Sequence, residues 1–311
     1  MISQTQPLKK PFVKRIEGAA PATTPHGRIK IVVSLFLLYI IWGSTYLGMR
    51  IALEGFPPFV MVGLRYLTAG IILYTFLRVR GTPAPTRAQW AAAGLVGILL
   101  LGGGNGGVAF AEQWVGSGIA AVGIAAVPLW TALLIGLMGR WPTRLEWMGL
   151  GLGFLGVIFL NLEHGLWVSP IGAIALLLSP MCWALGTALS TRFTLPAGLM
   201  SSAAQMIIGG GAMLVISQVL GERMTHFPNA NSLWAMGFLI LFGSLVAFSA
   251  YGYLLRHVRP ALATSYAYVN PVVAVGLGVW LAGEQITPIG IVAMLVILSG
   301  VGLVSLGRQK R

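Results

Sequence analysis

The chain has 311 residues, of which 57% are hydrophobic and only 9% charged, and its mean hydropathy is +0.85. A soluble domain carries about 25% charged residues to wet its surface, so this composition excludes a water-soluble globule and makes lipid the main solvent. The net charge of +13 lies in short segments between long apolar runs, which argues against a nucleic-acid-binding module with one basic face.

Residues 1–28, including "QPLKKPFVKR", lack hydrophobic periodicity and read as a disordered, basic cytoplasmic tail. The apolar run behind them has no small-residue cleavage site and continues into Trp42 and Tyr46. It therefore reads as a retained first helix rather than a signal peptide. Ten apolar spans follow, over 30–53, 57–78, 89–111, 117–138, 145–162, 170–191, 197–220, 232–254, 260–282 and 287–307. Most approach the roughly 20 residues a helix needs to cross about 30 Å of hydrocarbon. Clusters such as "EGFPPF" and "GTPAPTRAQ" mark the connections. Trp90, Trp114, Trp141, Trp167, Trp234 and Trp280 fall near span ends, as an interfacial belt requires.

With the N-terminus in the cytoplasm, the inner segments collect nearly all the cations, from Lys9 and Lys30 through Arg78, Arg140, Arg192 and Arg259 to Arg308. The outer segments hold Arg223 together with Glu54, Glu112, Glu163, Glu222 and Glu284. The positive-inside rule then predicts a multi-pass protein with both termini cytoplasmic.

Internal similarity divides the chain. "YIIWGSTYLGMR" around Trp42 answers to "PMCWALGTALSTR" around Trp183. "IAAVPLWTALLIGLMG" answers to "AYVNPVVAVGLGVWLAG", with Pro128 opposite Pro271, and the halves close on "GVIFLNL" and "GVGLVSL". These matches define two five-span units, 29–162 and 170–307. Five is odd, so the second unit enters the membrane from the opposite side. Many secondary transporters are built as such inverted repeats, with a midplane site between the halves.

The segments "WGSTYLGMRIALEGFPPFVMVGLRYLTAG" and "PALATSYAYVNPVVAVGLGVWLAGE" resemble the EamA-type branch of the drug/metabolite transporter superfamily. The likeness covers residues 30–307 and is carried by Trp42-Gly43-Ser44, Arg65 and the run from Tyr268 to Pro271. It implies an all-α membrane protein with ten transmembrane helices in a five-plus-five inverted repeat. It also implies alternating-access export of small metabolites, amino-acid-like or drug-like, across a bacterial inner membrane. The superfamily handles amino acids, nucleobases, cationic drugs and dyes, which leaves the substrate open. One departure is visible: Glu284 closes the ninth span, whereas the fourth ends on "GRWPTR" with no acid.

Gly102, Gly104 and Gly107 match G-x-G-x-x-G, but no acidic residue follows about 20 positions on and no Gly-Lys-Ser/Thr ending occurs. No cofactor is called for. The glycines either let helices pack closely, as do Gly149, Gly153 and Gly209 to Gly211, or weaken a helix beside a cavity that Asn105 faces. Arg65 lies about 13 Å along its helix from the outer end, near the midplane. Such a charge either binds a substrate carboxylate or ties helix ends together through backbone carbonyls. Asn270 precedes Pro271, where the helix is locally open; Pro128 offers the same break without the amide. Trp42, Trp130 and Trp183 lie deep in their spans as candidate cavity aromatics, and Tyr266 and Tyr268 adjoin Asn270 as candidates for the same wall, with helix packing as the alternative.

No His falls inside a span, the chain has no aspartate, and its single cysteine excludes a thiolate metal cluster. Glu112 and Glu284, at outer span ends, are the candidates for proton coupling; the alternative is solvated boundary charge. A membrane enzyme would need converging acids or a nucleophile–base pair that this sequence lacks. The expected partners are a small-molecule substrate, membrane lipid and protons, with no nucleic acid. An importer of the same fold and a lipid-carrier flippase are the alternatives, since an inverted repeat has no intrinsic direction.

Overall fold

The computed structural model describes residues 25–114, 120, 123–161, 169–282 and 288–306. In chain order the helices are α1 (Pro25–Leu53), α2 (Pro58–Val79), α3 (Arg87–Ala111), α4 (Val127–Leu137), α5 (Arg144–Asn161), α6 (Pro170–Ser190), α7 (Leu199–Val219), α8 (Ala230–His257), α9 (Pro260–Ala263 and Tyr266–Ala282) and α10 (Pro288–Leu306). No strand occurs among the described residues. Seven of these helices, α1 to α3, α6 to α8 and α10, are long and apolar enough to cross a membrane by length and composition. Helix α1 starts at Pro25, so residues 25–28, expected to belong to the tail, are helical. Glu163, Trp167 and Glu284 lie outside the described residues, as does the side chain of Trp280.

Local chemistry sets the helix ends. Pro58, Pro170 and Pro260 occupy first turns, where a missing N–H costs nothing. Thr86 and Gln89 form a reciprocal capping box on α3, and Ser169 and Asn229 cap α6 and α8. Gly81, Gly139 and Gly221 follow α2, α4 and α7 at φ of +81°, +91° and +70°, the left-handed conformation that terminates a helix.

Four helices depart from regular geometry. Helix α3 is π-helical over Ile98–Gly106 and α8 over Leu239–Val246. The chain turns at Ala125 and Ala126 before α4, and at Thr264 and Ser265 within α9. The breaks expected at Pro128 and Pro271 therefore lie upstream of both prolines. Pro128 sits in the first turn of α4, which tolerates it, and Pro271 is carried inside the second piece of α9.

Packing follows a regular scheme. Helix α2 packs on α7, and α5 on α10. The pairs α1–α9, α1–α8 and α2–α8 have counterparts in α6–α4, α6–α3 and α7–α3, each helix number moving by five. Glycines permit the closest approaches. A Cβ on Gly300 would stand 2.6 Å from the Gly153 nitrogen, and one on Gly149 would stand 2.6 Å from the Gly300 carbonyl oxygen. In α7 a Cβ on Gly209 would stand 2.8 Å from the Gly97 oxygen, whereas Gly211 faces open space. Backbone-to-backbone contact of this kind supplies the dispersion energy that lipid, itself apolar, does not concede to larger side chains. The periphery is apolar, with Phe36, Ile71, Leu177, Val215, Leu241 and Ile291 exposed, a surface suited to acyl chains and not to water.

Gly300→Ala is expected to destabilise the protein by about 1–3 kcal/mol through overpacking, read as a lowered thermal midpoint in detergent. Gly211→Ala should leave that midpoint unchanged. Equal midpoints for the two variants would contradict the α5–α10 contact.

Candidate substrate cavity

A cavity of about 420 Å³ of empty space, partly open to the surroundings, lies between the two sets of five helices. Helix α1 lines it with Trp42, Thr45, Tyr46 and Met49, positions three and four apart that share one helix face. Helix α2 adds Arg65, and the π-helical segment of α3 adds Gly104 and Asn105, with Val108 just beyond it. Ile124, Trp183 on α6, and Tyr266 and Asn270 on α9 complete the wall.

The π-helical segments do more than bend the chain. The wider turn loosens the hydrogen-bond ladder and leaves carbonyls open to side-chain donors. The Ser179 hydroxyl donates to the Gly104 carbonyl, and the Trp42 indole donates to the Gly243 carbonyl at 3.0 Å. Beside it, the Ser244 hydroxyl accepts from Arg65 Nε at 2.8 Å.

Arg65 is 1% exposed. Its guanidinium lies 4.7 Å from the centroid of the Tyr66 ring, a cation–π contact. A Cβ on Gly243 would stand 2.6 Å from Nη2, so a larger residue there would displace the head group from its present position. Nη1 is buried and has no hydrogen-bond partner, and no carboxylate pairs with Arg65 among the described residues. The amide oxygens of Asn105 and Asn270 are likewise buried and unpartnered.

Aromatic rings close the end of the cavity nearer the chain's N-terminus. Trp42 meets Trp183 edge-on at 5.4 Å and Tyr266 at 4.6 Å between centroids. Tyr251 backs them: its hydroxyl accepts from the Trp183 indole at 3.2 Å and shares a 2.6 Å hydrogen bond with Thr187. Tyr39 and Ser265 join their hydroxyls at 2.6 Å in the same region.

The structure thus brings Trp42, Arg65, Asn105, Trp183 and Asn270 to one cavity. Tyr268 is not among them. Residues 266 and 270 share a helix face, which turns 268 to the opposite side. There its hydroxyl donates to the Leu150 carbonyl at 3.0 Å and its ring packs on Gly153. Of the two tyrosines expected beside Asn270, Tyr266 alone lines the wall. Neither Pro128 nor Pro271 lines the cavity.

Glu112 stands one residue beyond α3, its two carboxylate oxygens buried without partners. Burial pushes its carboxyl up to about 8, against the opposing pull of the Arg50 guanidinium. Thr45, Tyr46 and Met49 escaped the sequence reading, although their spacing from Trp42 announces a shared face. Gly243 and Ser244 carried no signal, because nothing in the sequence marks a π-helical turn.

Family comparison agrees with this architecture. The EamA-like transporter family matches the chain twice, over residues 29–162 and 170–306. The inner membrane transporter YedA of Escherichia coli (strain K12) is 48% identical over 276 residues, covering 88% of this chain and 90% of YedA. The WAT1-related protein At3g02690, chloroplastic, of Arabidopsis thaliana is 25% identical and covers 86% of this chain and 67% of its own. A solved crystal structure shares the fold at a TM-score of 0.73 and 18% identity, over 90% of this chain and 99% of that one. Apolar helices around a largely aromatic cavity with a few polar groups on its wall fit a multi-pass membrane transporter. The chain belongs to the EamA-like transporter family, within the drug/metabolite transporter superfamily.

Tyr251→Phe removes the one hydroxyl that serves both Trp183 and Thr187 and is expected to cost about 1–3 kcal/mol. Thermal unfolding checks this, and a variant as stable as the parent would contradict the closed aromatic end.

Proposed function

We propose that the protein is a secondary transporter that exports amphipathic small metabolites, amino acids in the first place, by alternating access of this one cavity. The observation that carries the proposal is the set of polar atoms left open on its wall. Arg65 Nη1 is a charged donor awaiting an anion, and the Asn105 and Asn270 amides offer oxygens to a cation. A zwitterion answers both demands: its carboxylate pairs with the guanidinium and its ammonium donates to the amides. Trp42, Trp183 and Tyr266 present rings to the remaining side chain.

An inverted repeat is supported by the packing scheme in which helix numbers move by five, and by irregular segments in α3 and α8 and in α4 and α9. Interrupted helices at corresponding positions of two halves are the usual surroundings of a midplane site. The arginine-rich connections support a reading with both termini in the cytoplasm. In that orientation the aromatic end faces the cytoplasm, while the lining residues of α1 run outward from Trp42 to Met49. Glu112, at the outer end, is the group we assign to proton exchange.

Efflux from proteoliposomes loaded with L-phenylalanine or phenethylamine tests the substrate class. Arg65→Ala is expected to cut phenylalanine flux at least about tenfold, the worth of a charged hydrogen bond, and to spare phenethylamine. Equal loss for both would recast Arg65 as structural. Glu112 is protonated below and charged above about pH 8, so wild-type flux should change across that pH while Glu112→Gln flattens the profile. An unaltered profile in the variant would remove Glu112 from coupling.

A further inference from the structure

A second cavity among the described residues lies toward the closed end, between α4, α5 and the start of α9. It shares a seam with the first. Ile124 and Tyr266 line the upper cavity, while Thr131 and Ala261, on the same two stretches of chain, line the lower one. Its charged groups are Arg140, Arg259 and Glu146, two cations against one anion. Thr131 is fully buried and its hydroxyl has no partner.

Glu146 and Arg259 pair at 2.5 Å, and they belong to different halves of the chain. The two partners are unequal. Glu146 is 1% exposed and is held independently by its own helix start, accepting from the Thr143 backbone N–H at 2.7 Å and its hydroxyl at 3.1 Å. Arg259 is 31% exposed. The carboxylate therefore keeps two donors when the guanidinium leaves, and the guanidinium reaches another anion without being stripped of all its water. Such a pair is suited to exchange rather than to permanence.

We propose that this lower cavity is a second carboxylate-binding subsite, in which a ligand's carboxylate displaces Glu146 from Arg259, takes the Thr131 hydroxyl, and so releases one half of the transporter from the other. The proposal rests on the carboxylate-bearing substrates inferred above, and it adds a place where such a substrate loads from the closed end.

Benzoate binding, measured by calorimetry on detergent-purified protein, tests the subsite without requiring transport. In an Arg65→Ala background, which removes the upper cavity's cation, saturable binding of one benzoate is expected to remain. Glu146→Gln, which removes the competing charge, should tighten it about tenfold, as loss of a charged rival implies. Arg259→Gln should abolish it, and Thr131→Val should weaken it several-fold. If Arg65→Ala does not fold, the same series in the wild-type background should show Arg259→Gln lowering the number of bound benzoates by one. A purely structural ion pair gives the opposite pattern: Glu146→Gln and Arg259→Gln both destabilise the fold, and neither changes benzoate binding. That result, or binding weakened by Glu146→Gln, overturns the subsite. Absence of phenylalanine flux with benzoate binding as expected would instead sink the transport reading and leave the subsite standing.

Discussion

A guanidinium buried among apolar helices is the constraint on which the rest of this structure depends. An unpaired charge at that depth is expensive, and the fold meets the expense only in part: Ser244 takes Nε, the Tyr66 ring lies against the cation, and Nη1 is left over. The head group in this position lies against Gly243, where a Cβ would displace it. Glycine at 243 lies in a π-helical segment, whose open carbonyl receives the indole of Trp42. Cation, glycine, π-helical turn and tryptophan thus form one connected arrangement, and two of its members, Arg65 and Trp42, stand on the cavity wall.

A regular helix in lipid hides every backbone polar group and has nothing to offer a solute. This protein breaks that economy where it surrounds the cavity: α3 and α8 loosen into π-helical turns, and the chain turns before α4 and within α9. Elsewhere it is strict. Helices α2 and α7, and α5 and α10, run regular and close, with glycine faces in contact at Gly149, Gly153 and Gly300. Closely packed pairs flank the irregular elements, an arrangement that suits the alternating access proposed above.

Much of this was legible in the residues. Apolar runs give the helices, because a span must be about 20 residues long and nearly uncharged. Trp42, Arg65, Asn105, Trp183 and Asn270 stood out as polar or amphipathic groups deep in such runs, and they converge on one cavity. What the residues did not reveal was phase and register. Tyr266 and Tyr268 are equally aromatic, and only the helical turn decides that 266 faces in. Pro128 and Pro271 mark irregularity, but the chain turns upstream of each, at Ala125 and Ala126 and at Thr264 and Ser265. The pairing of Glu146 with Arg259 joins residues far apart in sequence, and no local pattern encodes it.

The most direct measurement is equilibrium binding to the wild-type protein in nanodiscs, following the fluorescence of the cavity tryptophans while titrating L-phenylalanine, phenylpropionate and phenethylamine. These share one ring and differ in carrying both charges, the carboxylate alone, or the ammonium alone. If the open donor at Arg65 and the open amide oxygens define the site together, phenylalanine binds at least about tenfold more tightly than either fragment. Equal affinity for all three would show that the rings alone recognise the ligand and would contradict a cavity built around the charge of Arg65.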